Sequence, residues 1–358
     1  MGTYQIGVLE GDGIGPEIME ETIHVLEEVQ TQTSNLALHF KYLPIGLQAY
    51  HRQGVTLPRE TIDSLKAMDA GILGPLSTHA YDISNSNMVN PSGFLRKELD
   101  LYANVRPAKT YHGVPSLFSG IDLIVVRENT EGMYADRNLY DHSGEFMPDP
   151  DTVLSLRLIT RKASKRLAKI GIELAAARKK HLTIIHKMNV LRKGCGLFYE
   201  SCQKIGEHYP DIFIDDYHVD AFAMHLVQHP QDYDVIVTTN MFGDILSDQT
   251  AGLIGGLGLA PGLNAGDSFL LAQATHGSAP DIAGKNIANP VSEILSAKMM
   301  LEWLGIRHQD PQALQAAYAM EKAVEKALAD GNGTKDIGGN LSTKRFGQYI
   351  TQSLNSLE

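Results

Sequence analysis

Short apolar runs separated by stretches of helical period organise the chain. Residues 4–9 are apolar and short enough for a strand, residues 11–15 form a glycine-rich turn, and Pro16 stands where a helix begins, a position at which a missing N–H costs nothing. Met19, Ile23 and Leu26 then recur at helical spacing. Strand-like runs return at 70–73, 122–127, 182–185 and 234–238, alternating with helical stretches such as 162–177 and 312–329. This alternation predicts an α/β protein whose mostly parallel sheet is covered by helices. Turn formers crowd residues 138–151, read as an insertion, and residues 252–266 hold six glycines and one proline, read as a hinge. No repeat of fixed period and no low-complexity tract breaks the pattern, which excludes solenoids and linker proteins.

Composition narrows the picture. With 358 residues, 43% hydrophobic and 20% charged, the chain can bury a large core, and two α/β lobes are expected. The balance of 31 Lys and Arg against 42 Asp and Glu leaves a net charge of −11, which argues against nucleic acid and anionic membranes as partners. Cys195 and Cys202 are too few for a disulfide framework or a four-cysteine zinc site; they read as ordinary thiols, and the cytoplasm is the expected compartment. The N-terminus runs into a strand without the basic start and long apolar segment of a signal peptide, and no eighteen apolar residues run together, so export by that route and membrane spanning are not expected. Residues 161–180 carry eight Lys and Arg, but Ala163, Leu167, Ile170, Leu174 and Ala177 place an apolar stripe beneath them, the mark of a solvated amphipathic helix. His225 and His229 have the spacing of a helical zinc pair; with no Glu after His225 and Pro230 next in line, they read as ordinary histidines.

Candidate chemistry lies in separated motifs. Gly11-Asp12-Gly13-Ile14-Gly15-Pro16-Glu17 follows a strand and opens a helix, yet Pro16 replaces the last glycine of a dinucleotide fingerprint, so a ligand-binding turn and a plain strand-to-helix turn both remain. Arg96, Arg106 and Arg127 sit in or beside apolar segments, where each needs an anionic partner: carboxylates of a polyacid substrate, or structural salt bridges. Asp244 and Asp248, four apart after an apolar strand, offer two hard oxygen ligands to Mg²⁺ or Mn²⁺ if helical, and Asp220 a third; helix solvation is the alternative. Lys187, at a strand's end, and Tyr134 are candidates for proton transfer, set against a surface lysine and a packed tyrosine. The polar loop from His276 through Gly284, followed by Asn289-Pro290 opening a helix, can wrap an adenosine, with Asp281 accepting ribose hydroxyls and repelling the extra phosphate of NADP.

Taken together, the motifs at 11–17, 95–107, 127–134, 186–190, 240–248 and 276–289 resemble, in order and over essentially the whole length, the β-decarboxylating dehydrogenases of isocitrate, homoisocitrate and 3-isopropylmalate. The resemblance implies an isopropylmalate-dehydrogenase-like two-domain fold, not a Rossmann domain. Residues 1–104 and 256–358 would form a large, cofactor-binding domain, residues 105–255 a small one carrying the metal ligands and dimer interface, and a homodimer would complete each site. It implies that Arg96, Arg106 and Arg127 hold the malate carboxylates and that Asp244 and Asp248, with Asp220 from the partner chain, bind Mg²⁺ or Mn²⁺. Lys187, likewise reaching across the dimer, would relay the hydroxyl proton, and Tyr134 would protonate the enolate. Asn189 would lie near substrate and nicotinamide, and His276, Gly277, Ser278, Ala279, Pro280, Asp281, Ile282, Asn289 and Asp336 around the adenosine. NADP-using relatives carry Lys-Tyr where Asp281 and Ile282 stand, so NAD is expected.

The same resemblance bears on the substrate. Isopropylmalate enzymes place leucines where Ser92 and Gly93 stand here; isocitrate enzymes place Ser and Asn at the positions of Asn90 and Ser92, so the pair is polar but exchanged. Isocitrate is therefore expected, with 3-isopropylmalate and homoisocitrate as alternatives and a non-catalytic subunit as a further one. The family's Glu-Pro-Val before His-Gly-Ser is replaced by Gln273-Ala274-Thr275.

Overall fold

The computed structural model describes residues 2–82, 84–134 and 144–356. Its elements run β1 (Gly2–Leu9), α1 (Gly15–Gln32), β2 (Leu36–Tyr42), α2 (Gly46–Gln53), α3 (Arg59–Lys66), β3 (Ala70–Leu73), α4 (Pro91–Glu98), β4 (Ala103–Lys109), β5 (Asp122–Glu128), β6 (Glu145–Asp149), β7 (Thr152–Ser155), α5 (Arg161–Ala176), β8 (His181–His186) and α6 (Arg192–Gly206). They continue with β9 (Phe213–His218), α7 (Val219–Gln228), β10 (Val235–Thr238), α8 (Asn240–Leu253), β11 (Leu263–Ala265), β12 (Leu270–Ala272), α9 (Val291–His308), α10 (Pro311–Ala329) and α11 (Thr343–Leu354). Each strand run read from the apolar pattern is a strand here, and Pro16 lies in the first turn of α1. Residues 138–143 of the expected insertion lie outside the described residues; those that follow open the exposed β6–β7 hairpin.

Ten strands form one sheet in the order β2-β1-β3-β12-β11-β4-β5-β10-β8-β9. The strands β2, β1, β3 and β12 are parallel, as are β5, β10, β8 and β9, while β11 and β4 run antiparallel to both neighbours. The two parallel blocks therefore point in opposite directions and meet through a short antiparallel seam. Register in the seam sets Leu271, Asn264, Asn104 and Arg127 in one row, so these side chains share a face. By the two-residue alternation of strands, Arg106 joins that face. Helices α1, α9, α10 and α11 pack on one another around the first block, α5 and α6 lie against the second, and α8 crosses β4 and β5. Among the described residues, no helix is long and apolar enough to cross a membrane.

The basic stretch does form helix α5, but its buried line differs from the expected stripe. Ala163, Leu167, Ala168, Gly171, Ile172 and Ala175 are buried, whereas Ile170 and Leu174 are half-buried and Ala177 is exposed. The helix is rotated so that small residues face the sheet, which lets it approach closely.

The glycine turn packs as structure. Gly13 has φ of +60°, and a Cβ there would lie 2.0 Å from the Ser278 carbonyl oxygen, which accepts the Ile14 N–H at 2.9 Å. Asp12 is buried and accepts from Leu47 N at 2.7 Å, Ser77 N at 2.9 Å and the Tyr81 hydroxyl at 2.5 Å. The turn thus clamps the loops after β2, β3 and β12. Asp12→Ala removes the acceptor of three donors, two of them buried; we expect it to destabilise the fold by about 3 kcal/mol in urea unfolding.

In α9, Glu293 is fully buried, one carboxylate oxygen accepting Ala274 N–H at 3.0 Å and the other lacking a hydrogen-bond partner among the described residues. Burial pushes this carboxyl up to about 8 against the opposing Ala274 amide. The folded state thus keeps a proton that the unfolded chain releases in the ordinary carboxylate range, so this group's stabilisation is full at acid pH and fades as pH rises to about 8. We expect Glu293→Gln to flatten the fall in melting temperature between pH 5 and 8; an unchanged slope refutes the assignment.

Candidate active site

Arg127 and Arg106 share the face of the seam on which α8 lies. Gly243 permits the approach: a Cβ there would stand 2.6 Å from the Arg127 Cβ. The Arg127 side chain, 3% exposed, donates from Nε and Nη2 to Asn240 Oδ1 at 2.9 and 2.7 Å and from Nη1 to Asp244 Oδ1. The other Asp244 oxygen accepts the Tyr134 hydroxyl at 3.0 Å, and the Arg127 guanidinium lies 5.6 Å from the Tyr134 ring centre. One turn on, Asp248 faces Arg106 Nη1 at 3.4 Å. Arg106 also donates to Ser247 Oγ at 3.1 Å and, through Nε, to Asn104 Oδ1 at 2.5 Å.

The two carboxylates are electrostatically unequal. Burial raises the Asp244 carboxyl, but Arg127, Arg106, the Tyr134 hydroxyl and Arg96 outweigh it and hold the group below its usual range. Asp248 moves the other way, raised by burial and by Asp244 against the pull of Arg106. Burial, together with the neighbouring Arg127, draws Arg106 down to about 10. The site thus gathers three arginines, Arg96, Arg106 and Arg127, around two carboxylates, an excess of positive charge suited to a polycarboxylate.

Asp244 and Asp248 project from one face of α8, and their oxygens are the donors that a hard divalent cation takes. Asp220 does not join them in the same chain, and no cluster of three or more possible metal ligands occurs among the described residues. It pairs instead with Lys187, Nζ to Oδ1 at 2.5 Å, where β8 and β9 end side by side. The hydrogen bond and charge of Lys187, with the backbone N–H groups of Asp220 and Ala221, hold the Asp220 carboxyl below its usual range. Behind Lys187, His186 Nε2 meets Asp216 at 2.9 Å and the buried Cys195 Sγ accepts the Lys187 amide N–H at 3.3 Å, which fixes the strand end. Asn189 is exposed in the following turn. Among the described residues, His225 and His229 belong to no group of three or more possible metal ligands, and both cysteines are buried.

The loop after β12 gathers the expected adenosine residues. Ser278 is buried, bonded to Ser77 Oγ at 2.7 Å, and Ala279 adopts a left-handed conformation that turns the chain into Pro280, Asp281 and Ile282. Asp281 and Gly277 are exposed; Asn289 donates to Asp336 at 3.0 Å, and Thr334 donates to the same carboxylate at 2.5 Å. His276 Nε2 is a buried atom without a hydrogen-bond partner among the described residues, and burial pulls the imidazole down against the Gly277 carbonyl and Asp336. An orphaned ring nitrogen beside an open glycine fits a bound nucleotide. Asn90 caps α4, its Oδ1 accepting Gly93 N at 3.2 Å, while Ser92 and Arg96 lie one turn apart on that helix. Asn240 and Asn104 escaped the sequence reading; for Asn104 the signal was its place two residues before Arg106 on a strand.

Comparison with known proteins identifies the family. The family described as isocitrate/isopropylmalate dehydrogenase matches residues 5–350. A 3-isopropylmalate dehydrogenase of Archaeoglobus fulgidus is 42% identical over 98% of this chain and 99% of its own length. An isocitrate/homoisocitrate dehydrogenase of Thermus thermophilus is 40% identical over 99% of each. The solved structure of isocitrate dehydrogenase from Methylococcus capsulatus superposes with a TM-score of 0.86 at 39% identity, covering 99% of both chains. This chain therefore belongs to the isocitrate/isopropylmalate dehydrogenase family, with that family's two-domain α/β fold and its β-decarboxylating dehydrogenase activity on a malate-type substrate.

Proposed function

We propose that the protein catalyses NAD-dependent oxidative decarboxylation of isocitrate to 2-oxoglutarate. The observation that carries this reading is the joint placement of Arg106, Arg127, Tyr134, Asp244 and Asp248 on one face of the seam, with Ser92 rather than an apolar residue one turn before Arg96. Bound NAD would supply the hydride acceptor, and a divalent cation, Mg²⁺ or Mn²⁺, would supply Lewis acidity. Arg96, Arg106 and Arg127 orient the malate carboxylates, with Asn90, Ser92 and Asn189 at their edge. Lys187 takes the proton of the C2 hydroxyl, and Tyr134, already hydrogen-bonded to Asp244, returns a proton to C3 after carbon dioxide departs. The His276–Asp281 loop with Ile282, Asn289 and Asp336 receives the adenosine, and the exposed Asp281 carboxylate disfavours a 2′-phosphate.

The division into domains of 1–104 with 256–358 and of 105–255 belongs to this proposal, as does a homodimer in which Lys187 and Asp220 serve the partner's Asp244 and Asp248. Their mutual bond and their separation from the Asp244 cluster in one chain support it. A second reading, 3-isopropylmalate as substrate, is favoured by the name of the Archaeoglobus relative.

NADH formation with Mg²⁺ or Mn²⁺ is expected to show the highest kcat/KM for isocitrate among isocitrate, homoisocitrate, 3-isopropylmalate and malate; preference for another substrate overturns the choice. NADP should be at least about tenfold poorer than NAD, and Asp281→Lys should narrow that gap. Lys187→Ala and Asp244→Asn should each lose at least about a hundredfold in kcat. Co-refolding these two inactive variants should restore about a quarter of wild-type activity, because a mixed dimer holds one intact site; no recovery rules out sites shared between chains.

A further inference from the structure

A chain of amides links the arginine cluster to the segment before His276, and its polarity can be deduced. Arg106 has donors only, so Asn104 must present its oxygen to Arg106 Nε, at 2.5 Å. Asn104 Nδ2 therefore donates onward to Asn264 Oδ1 at 3.0 Å. Asn129 Nδ2 donates to the same oxygen at 3.0 Å, which leaves Asn264 only its nitrogen for the next links: Leu271 O at 3.3 Å and Gln273 Oε1 at 3.4 Å. The Gln273 oxygen also accepts the Ser92 hydroxyl, at 3.3 Å. Asn104, Asn129 and Asn264 are all buried, so no solvent exchange scrambles the order. The Gln273 carboxamide consequently faces inward with its oxygen and outward with its nitrogen. That nitrogen has no hydrogen-bond partner among the described residues and is not a sealed atom.

Its position is informative. Gln273 is tied to Ser92, one turn before Arg96, and through two asparagines to Arg106, so its carboxamide bridges the α4 end of the cleft and the amides behind Arg106. We infer that Gln273 reads the substituent on C3 of the substrate, donating from Nε2 to a carboxylate there and leaving an apolar substituent unrewarded. This rests on the reading of the cleft as a substituted-malate site. A donor without a protein partner costs little against water, but a substrate that seals it without accepting its hydrogen bond bears the desolvation cost. Discrimination thus arises from both sides, through gain with a carboxylate and loss with an isopropyl group. Ser92, held by the same oxygen, is the residue's support.

Gln273→Glu is the decisive variant, because one carboxylate oxygen keeps both inward bonds while the outward donor becomes an anion. Thermal melting should stay within a few degrees of wild type, confirming that the relay is intact. With saturating NAD and Mg²⁺, kcat/KM for isocitrate should fall about ten- to a hundredfold, mainly through KM, and by at least about tenfold more than for 3-isopropylmalate or malate. Calorimetric titration of isocitrate and Mg²⁺ without NAD should show the same weakening. Equal losses for all substrates, no loss, or a change confined to the KM for NAD overturns the inference while leaving isocitrate as the wild-type substrate. If the wild-type enzyme itself prefers 3-isopropylmalate, the substrate reading falls, and this inference with it.

Discussion

Arg127 carries a permanent charge at a place from which water is nearly excluded, and the active cluster is arranged around that fact. A buried guanidinium is tolerable only when each N–H finds an acceptor and its charge finds an anion. Asn240 and Asp244, successive turn positions at the start of α8, provide both, and Gly243 between them removes the side chain that would hold the helix away. Satisfying the charge therefore fixes the axial placement of α8 on the sheet. Tyr134 and Asp248 then take their places as consequences, one through the second oxygen of Asp244 and the other one turn along the helix. The candidate proton donor and the two candidate metal ligands share a single anchor.

Asp244 and Asp248 also show how one helix face produces two different carboxylates. Asp244 lies where the fields of Arg127 and Arg106 converge and remains an anion, while Asp248, farther from Arg127 and next to an anion, holds its proton more tightly. A cation arriving between them would meet one ready ligand and one that becomes ready as positive charge approaches.

Much of the architecture was legible because strands buried on both faces leave short uninterrupted apolar runs, as at β3, β8 and β10. The three-residue strands β11 and β12 were invisible, since nothing that short carries a period, yet β12 closes the first block and β11, with β4, forms the antiparallel seam joining it to the second. In the site, charged residues announced themselves: three arginines and two spaced aspartates stand out against apolar surroundings. Asn104 and Asn264 did not, because they meet only when register sets strands from distant parts of the chain side by side. The bond between Lys187 and Asp220 was hidden for the same reason, depending on the alignment of β8 with β9. The displaced stripe of α5 has another cause: alanine and glycine carry little hydrophobic weight in a pattern, but they are what a tightly packed helix needs.

The clamp between Ile14 and Ser278, with the pairing of β3 to β12, has a consequence for the growing polypeptide. During synthesis β1, β2 and β3 emerge early, but the edge of β3 is not covered until some two hundred residues later, when β12 leaves the ribosome. An apolar parallel edge left open for that interval is a template for wrong pairing with other nascent chains. The opening strands of the sheet must wait for a strand from the last third of the chain, so the exposure of that edge is set by the order of synthesis and not by local sequence.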